Sequence, residues 1–166
     1  MTTTSAPVKS QTSNAPNLDA GLQYLTEVIL LRLKLHFNPA DEKPADGIEI
    51  EPPTIYDDQS PFTQFIKKHQ PTFEEYILLL IALAPHVQID FFDSIWNTQL
   101  PQKGDFPSIG GQRDNTSRAF LPTVETALFI LADKDLDKRF DVLRLLSPDH
   151  WLRQQQILEL TPPKAG

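Results

Sequence analysis

Thr72 and Glu75 stand three residues apart, ahead of the run Tyr76–Ala84, YILLLIALA. A hydroxyl and a carboxylate at this spacing form a capping box, in which each side chain takes up a backbone N–H that the first helical turn leaves without a partner. The run behind them is apolar on nearly every side, so a helix built from it has no face suited to water and must sit at the centre of the fold. The same run is too short to cross a bilayer. The tail MTTTSAPVKSQTSNAPN has no apolar stretch of the kind a signal peptide or anchor needs.

A helix that must be surrounded needs neighbours with apolar stripes, and the chain supplies them. A first helix is expected from Leu18, behind Asn17, to Phe37, with Leu22, Leu25, Ile29 and Leu33 on one stripe and Leu31 and Leu35 widening it. It ends at Asn38-Pro39. Six of the 15 prolines then fall between residues 39 and 71 among many acids, leaving room for a short strand at GIEIE (47–51) and a short helix at 61–69. Beyond Pro85, residues Ile89–Asn97 are expected to form a helix that turns Phe91, Phe92, Ile95 and Trp96 into the core.

Residues 124–146 read as a helix-turn-helix. Thr123 serves as N-cap of VETALFILA, with Glu125 in the first turn where a carboxylate favours the positive end of the helix dipole. Asp133-Lys134-Asp135 forces a sharp turn. The second helix is expected to place Leu136, Phe140, Val142, Leu143 and Leu146 on one broad side, with Lys138, Arg139, Asp141 and Arg144 mostly on the other. The segment QQQILELT (154–161) then reads as the first strand of a wing. The Thr72 helix should pack on this unit and bury Leu79, Leu80, Leu83, Phe129 and Leu143 together.

The stretch Gly110-Gly111 with Arg113, FLPTVETALFILAD, the Asp135, Arg139 and Leu143 positions, and SPDHW ahead of ILEL resembles the N-terminal winged-helix-like domain of AAA-family ATPases of bacterial contractile injection systems, the phage-tail-like and type VI secretion-like machines. YILLLIALAPHV fits the family's preceding helix, and the resemblance spans about residues 18–160. It implies a mainly α-helical, winged-helix-like domain over 18–160; residues 1–17, rich in Ser, Thr, Ala and Pro, are expected to be a disordered tail, and 161–166 a C-terminal tail. It also implies a non-catalytic recognition or adaptor role in a bacterial cytoplasm, contacting a protein of the injection system or its ATPase motor. The family would continue into the rest of a wing and an ATPase core. The expectation here is an excised domain or a protein without the motor, monomeric in isolation.

The residues exclude much else. The phosphate-cradling G-x-x-x-x-G-K-[ST] loop is missing, since no glycine is followed by lysine, so ATP turnover by that device and a nucleotide cofactor are not expected. The chain has no cysteine, which removes disulfides and thiolate metal sites and makes a reducing cytoplasm the easier home. His36, His69, His86 and His150 share no metal-ligand spacing, and helix ends or local turns account for them. Asp57-Asp58 and Glu74-Glu75 have no positioned acid-base partner in view. The alternative function is a winged-helix DNA-binding or transcription-associated module. Against it stand a net charge of −7 and the interleaving of Lys134, Lys138, Arg139 and Arg144 with Asp133, Asp135, Asp137 and Asp141.

The candidate partner-binding feature is the long connection 99–119, which holds three of the six glycines. Phe106 and Ile109 offer apolar anchors, and Arg113 and Arg118 offer cationic ones beside Gly110-Gly111. The glycine pair is either a turn that needs positive φ or a backbone that a partner approaches closely. The alternative is a solvated connector whose Phe106 and Ile109 merely cover the adjacent helices.

Overall fold

The computed structural model describes residues 15–38, 50–55, 58–101 and 106–161. These form a mainly α-helical fold with one small antiparallel hairpin. The helices are α1 (Ala15–Phe37), α2 (Pro61–His69), α3 (Phe73–Val87), α4 (Phe91–Gln99), α5 (Val124–Leu131), α6 (Leu136–Leu145) and α7 (Trp151–Gln154). Strands β1 (Gln112–Arg113) and β2 (Phe120–Leu121) pair in the register Gln112 with Leu121 and Arg113 with Phe120. The tails 1–14 and 162–166, and Gly47–Glu49 of the expected strand, lie outside the described residues. Ile50 and Glu51 carry no strand.

The capping box forms as its spacing predicts. Thr72 N donates to Glu75 Oε1 at 2.9 Å, and Glu75 N donates to Thr72 Oγ1 at 3.3 Å. Residues 75 to 81 are then all buried, and α3 packs against α1, α4 and α5 at the centre. Pro85 lies in the last turn of α3. Its missing N–H costs one helical hydrogen bond at a place where the helix is about to end anyway.

α1 starts at Ala15, three residues before the expected boundary. Asn17 is therefore not a cap but a buried residue of the first turn. Its amide donates to Thr63 Oγ1 at 2.6 Å and to Asp58 Oδ2 at 3.1 Å. Ser60 and Thr63 are fully buried, and their hydroxyls also donate to Asp58 Oδ1. Those hydrogen bonds from Ser60 and Thr63 hold the Asp58 carboxyl below its usual range. Helices α1 and α2 are thus joined at their N-terminal ends by a satisfied polar network.

Two further expectations are corrected. QQQILELT makes no strand: Gln154 ends α7, Gln156 turns the chain at φ 57°, and the N–H groups of Ile157 and Leu158 both donate to Leu152 O at 2.9 Å. Those donors close a helix end, so they do not serve a ladder and no wing strand forms there. The second correction concerns α6. Val142 and Leu146 are buried, whereas Leu136, Phe140 and Leu143 are 67%, 58% and 41% exposed. Leu80 and Phe129 sit in the core as expected and Leu79 is buried, but Leu83 is half-buried and Leu143 faces outward.

Candidate functional site

α5 is buried on every side from Thr126 to Leu131, and its C-terminal end is held by α1. Ile130 O is one of the carbonyls that a helix of this length leaves without an internal partner. The buried guanidinium of Arg32 supplies a donor, Nε to O at 3.0 Å. Burial lowers the Arg32 pKa from its ordinary value, and the charges of Asp133 and Asp135 act against that loss. Asp133 takes the left-handed conformation that ends α5, at φ 51°, and its carboxylate lies 3.0 Å from His36 Nδ1. Asp135 caps α6 by accepting from Lys138 N at 3.2 Å.

Arg139 closes the unit from the other side. It donates to Asp133 O at 2.8 Å and pairs with Glu125 Oε1 at 2.7 Å. Sequence reasoning set Arg139 on a solvated face, but it is half-buried as a brace for the turn. Four side chains, Arg32, His36, Glu125 and Arg139, therefore fix the angle at which α6 leaves α5.

The outer face of α6 is the candidate site. Leu136, Phe140 and Leu143 recur at helical spacing and form one exposed apolar row. Asp137, Asp141 and Arg144 border it, with Arg144 paired to Asp141 at 2.6 Å. The signal for this row was present in the sequence. Leu136, Phe140, Val142, Leu143 and Leu146 span more of the helix circumference than one buried stripe covers. They divide into an inner pair and an outer row.

The 99–119 candidates are placed differently from the expectation. Phe106 is half-buried against Phe37, ring centroids 6.3 Å apart. Ile109 is only 4% exposed, so it is a core residue rather than an anchor open to a partner. Gly110 and Gly111 adopt φ of 69° and 88°. A Cβ on Gly111 would lie 2.1 Å from the Phe120 ring, and one on Gly110 would lie 2.7 Å from Glu125 Cβ. The pair is thus a turn that needs positive φ, pressed onto its own domain, with Gly111 N donating to Thr123 Oγ1 at 3.0 Å. Arg113 pairs with Asp93 and stands over the Phe120 ring at 5.8 Å, while Asp93 Oδ2 accepts from Phe120 N at 2.9 Å. Arg113 therefore latches the hairpin to α4. Arg118 is exposed at the hairpin tip with φ 63°.

Two further features have a site-like look. Glu75 Oε2 accepts from Trp151 Nε1 and lies 3.0 Å from His150 Nε2. The Trp151 ring stacks on His69 at 4.9 Å. Burial pushes the Glu75 carboxyl up, but hydrogen bonds from Thr72 and Trp151 and the His150 charge outweigh it and hold the carboxyl below its usual range. A carboxylate with its acceptors filled and its pKa lowered suits a structural joint better than a general base, which needs its proton affinity near working pH. The other feature is a cavity of about 700 Å³ beside Tyr24, Ile50, Pro52, Phe73 and Tyr76. Its lining is mostly apolar and brings no acid-base pair together. Among the described residues no group of three or more His, Asp or Glu could hold a metal ion. No single described helix is long and apolar enough to cross a membrane.

Comparison with protein-family models, with curated proteins and with solved structures finds no match.

Proposed function

We propose that this chain is a non-catalytic protein-recognition module that docks a partner protein on the outer face of α6. The role is that of an adaptor for a contractile-injection-system ATPase, as the sequence resemblance implies. The observation that carries the reading is the exposed row Leu136, Phe140 and Leu143 on a helix braced by Arg139 against Asp133 O and Glu125. An apolar row on a fixed helix offers area without the entropy cost of ordering a loop, which suits protein docking. The alternative, a DNA-binding module, is less well supported because Arg139 and Arg144 are paired with Glu125 and Asp141. Counterion release from duplex phosphates needs unneutralised cations along one face.

A photo-crosslinking amino acid at position 140, expressed in the native cytoplasm, tests this. Adducts with a protein of the injection apparatus, lost when Leu136→Ser and Leu143→Ser are added, are the expected outcome. Adducts with DNA, or none at all, would sink the reading.

A further inference from the structure

The α6 face carries a charge arrangement that selects its occupant. Asp137 and Arg144 are seven residues apart, so they stand on the same flank of the apolar row, one near each end of a helix about 15 Å long. Asp137 is exposed, and the Arg144 side chain is 77% exposed. Two copies of α6 brought face to face antiparallel across a two-fold axis would set Phe140 on Phe140 and Leu136 on Leu143. Asp137 of each copy would then stand beside Arg144 of the other, twice over. A two-fold contact requires a patch that complements itself, and this flank does so with each Arg144 set between its own Asp141, 2.6 Å away, and the other copy's Asp137. A parallel pairing would instead put the two Asp137–Arg144 flanks on opposite sides of the contact, where neither charge meets the other copy's, and would align the helix dipoles unfavourably.

We infer that the occupant of this face, when no other partner holds it, is a second copy of this chain, paired antiparallel through α6. The inference rests on the docking role proposed for α6. It differs from the sequence expectation of a monomer, which then applies only to dilute solution. The row is short, so the pair is weak and exchanges with monomer. Self-pairing covers the docking row, so a partner protein must compete with the second copy.

Sedimentation equilibrium of the full chain provides the test. The weight-average mass should rise from 18.8 kDa toward twice that value as concentration goes from about 10 µM to about 1 mM. Asp137→Arg and Arg144→Asp should each keep the wild-type melting temperature and each stay monomeric, because either substitution opposes like charges. Mixing the two variants should restore association, since each then meets its opposite charge at both ends. A wild-type mass that stays at 18.8 kDa throughout overturns the inference. So does self-association that both charge variants retain, or a mixture that fails to associate when wild type does. The docking role itself fails separately: it falls if the crosslinker at position 140 captures no injection-system protein, whatever the mass of the free chain.

Discussion

The indole of Trp151 donates its Nε1–H to Oε2 of Glu75, a residue 76 positions earlier whose other oxygen caps α3. One carboxylate therefore starts the central helix and fastens the last one. Glu75 carries a negative charge at the positive end of α3 as well, which adds to its stabilising role.

That joint makes the fold sensitive to acid. A carboxyl whose folded pKa lies below its ordinary value of 4.5 contributes stability that is present above that value and is lost as pH falls through the lowered one. Thermal melts between about pH 6 and pH 3 should show this loss. Glu75→Gln should flatten the slope across the lower part of the range. Trp151→Phe keeps a ring against His69 but removes a donor from the buried carboxylate, and should cost about 1–3 kcal/mol at neutral pH.

Alkali acts through a different residue. Burial pushes Tyr76 from an ordinary 10.0 up to about 12. The unfolded chain releases this proton first, so stability present below pH 10 should fall as pH rises from there toward the folded value. Tyr76→Phe should reduce that fall, read as the denaturant midpoint at high pH.

Gly111→Ala should destabilise the domain by about 2–4 kcal/mol, more than an ordinary surface change. Its φ of 88° disfavours any Cβ, and the new methyl would collide with Phe120. Urea unfolding measures the effect. A shift under about 0.5 kcal/mol would mean that the turn relaxes away from the hairpin.

The two helices of the helix-turn-helix should respond unequally to truncation. Phe129→Ala is expected to cost about 3–5 kcal/mol and Leu80→Ala about 2–5, since both side chains are fully buried. Leu136→Ala and Leu143→Ala should stay near 0.5 kcal/mol or below, because they truncate an outward row. Denaturation midpoints for the four variants decide the matter.

The connection before α5 should separate in the same way. Ile109→Ala should cost about 2–4 kcal/mol as a core truncation, whereas Arg118→Ala at the exposed tip should be close to neutral. Arg113→Ala should cost about 1 kcal/mol and lose part of that cost at high salt, as expected for a partly exposed pair with Asp93.

Some of this was legible from local chemistry. The capping box at Thr72 and Glu75, the all-round apolar run behind it and the turn at Asp133–Asp135 depend on neighbours within a helical turn, so residue spacing alone predicts them. The helix 61–69 and the turn role of Gly110-Gly111 are of the same kind. The start of α1 was not legible, because Asn17 is held by Asp58 and Thr63, 41 and 46 residues away.

The candidate site depended on tertiary structure almost entirely. The apolar residues of α6 say that the helix has one broad apolar arc, but only its mounting decides which part of it faces water. That mounting is set by Arg32 on Ile130 and His36 on Asp133, pairs 98 and 97 residues apart. Ile109 likewise reads as a loop residue until the hairpin folds it inward, and QQQILELT reads as a strand until Leu152 O takes the N–H groups of Ile157 and Leu158. By itself the sequence determined that α2 to α6 become helices, since capping and periodicity act within a few residues. Which faces those helices turn outward was decided by contacts between distant segments, because burial is a property of the assembled packing.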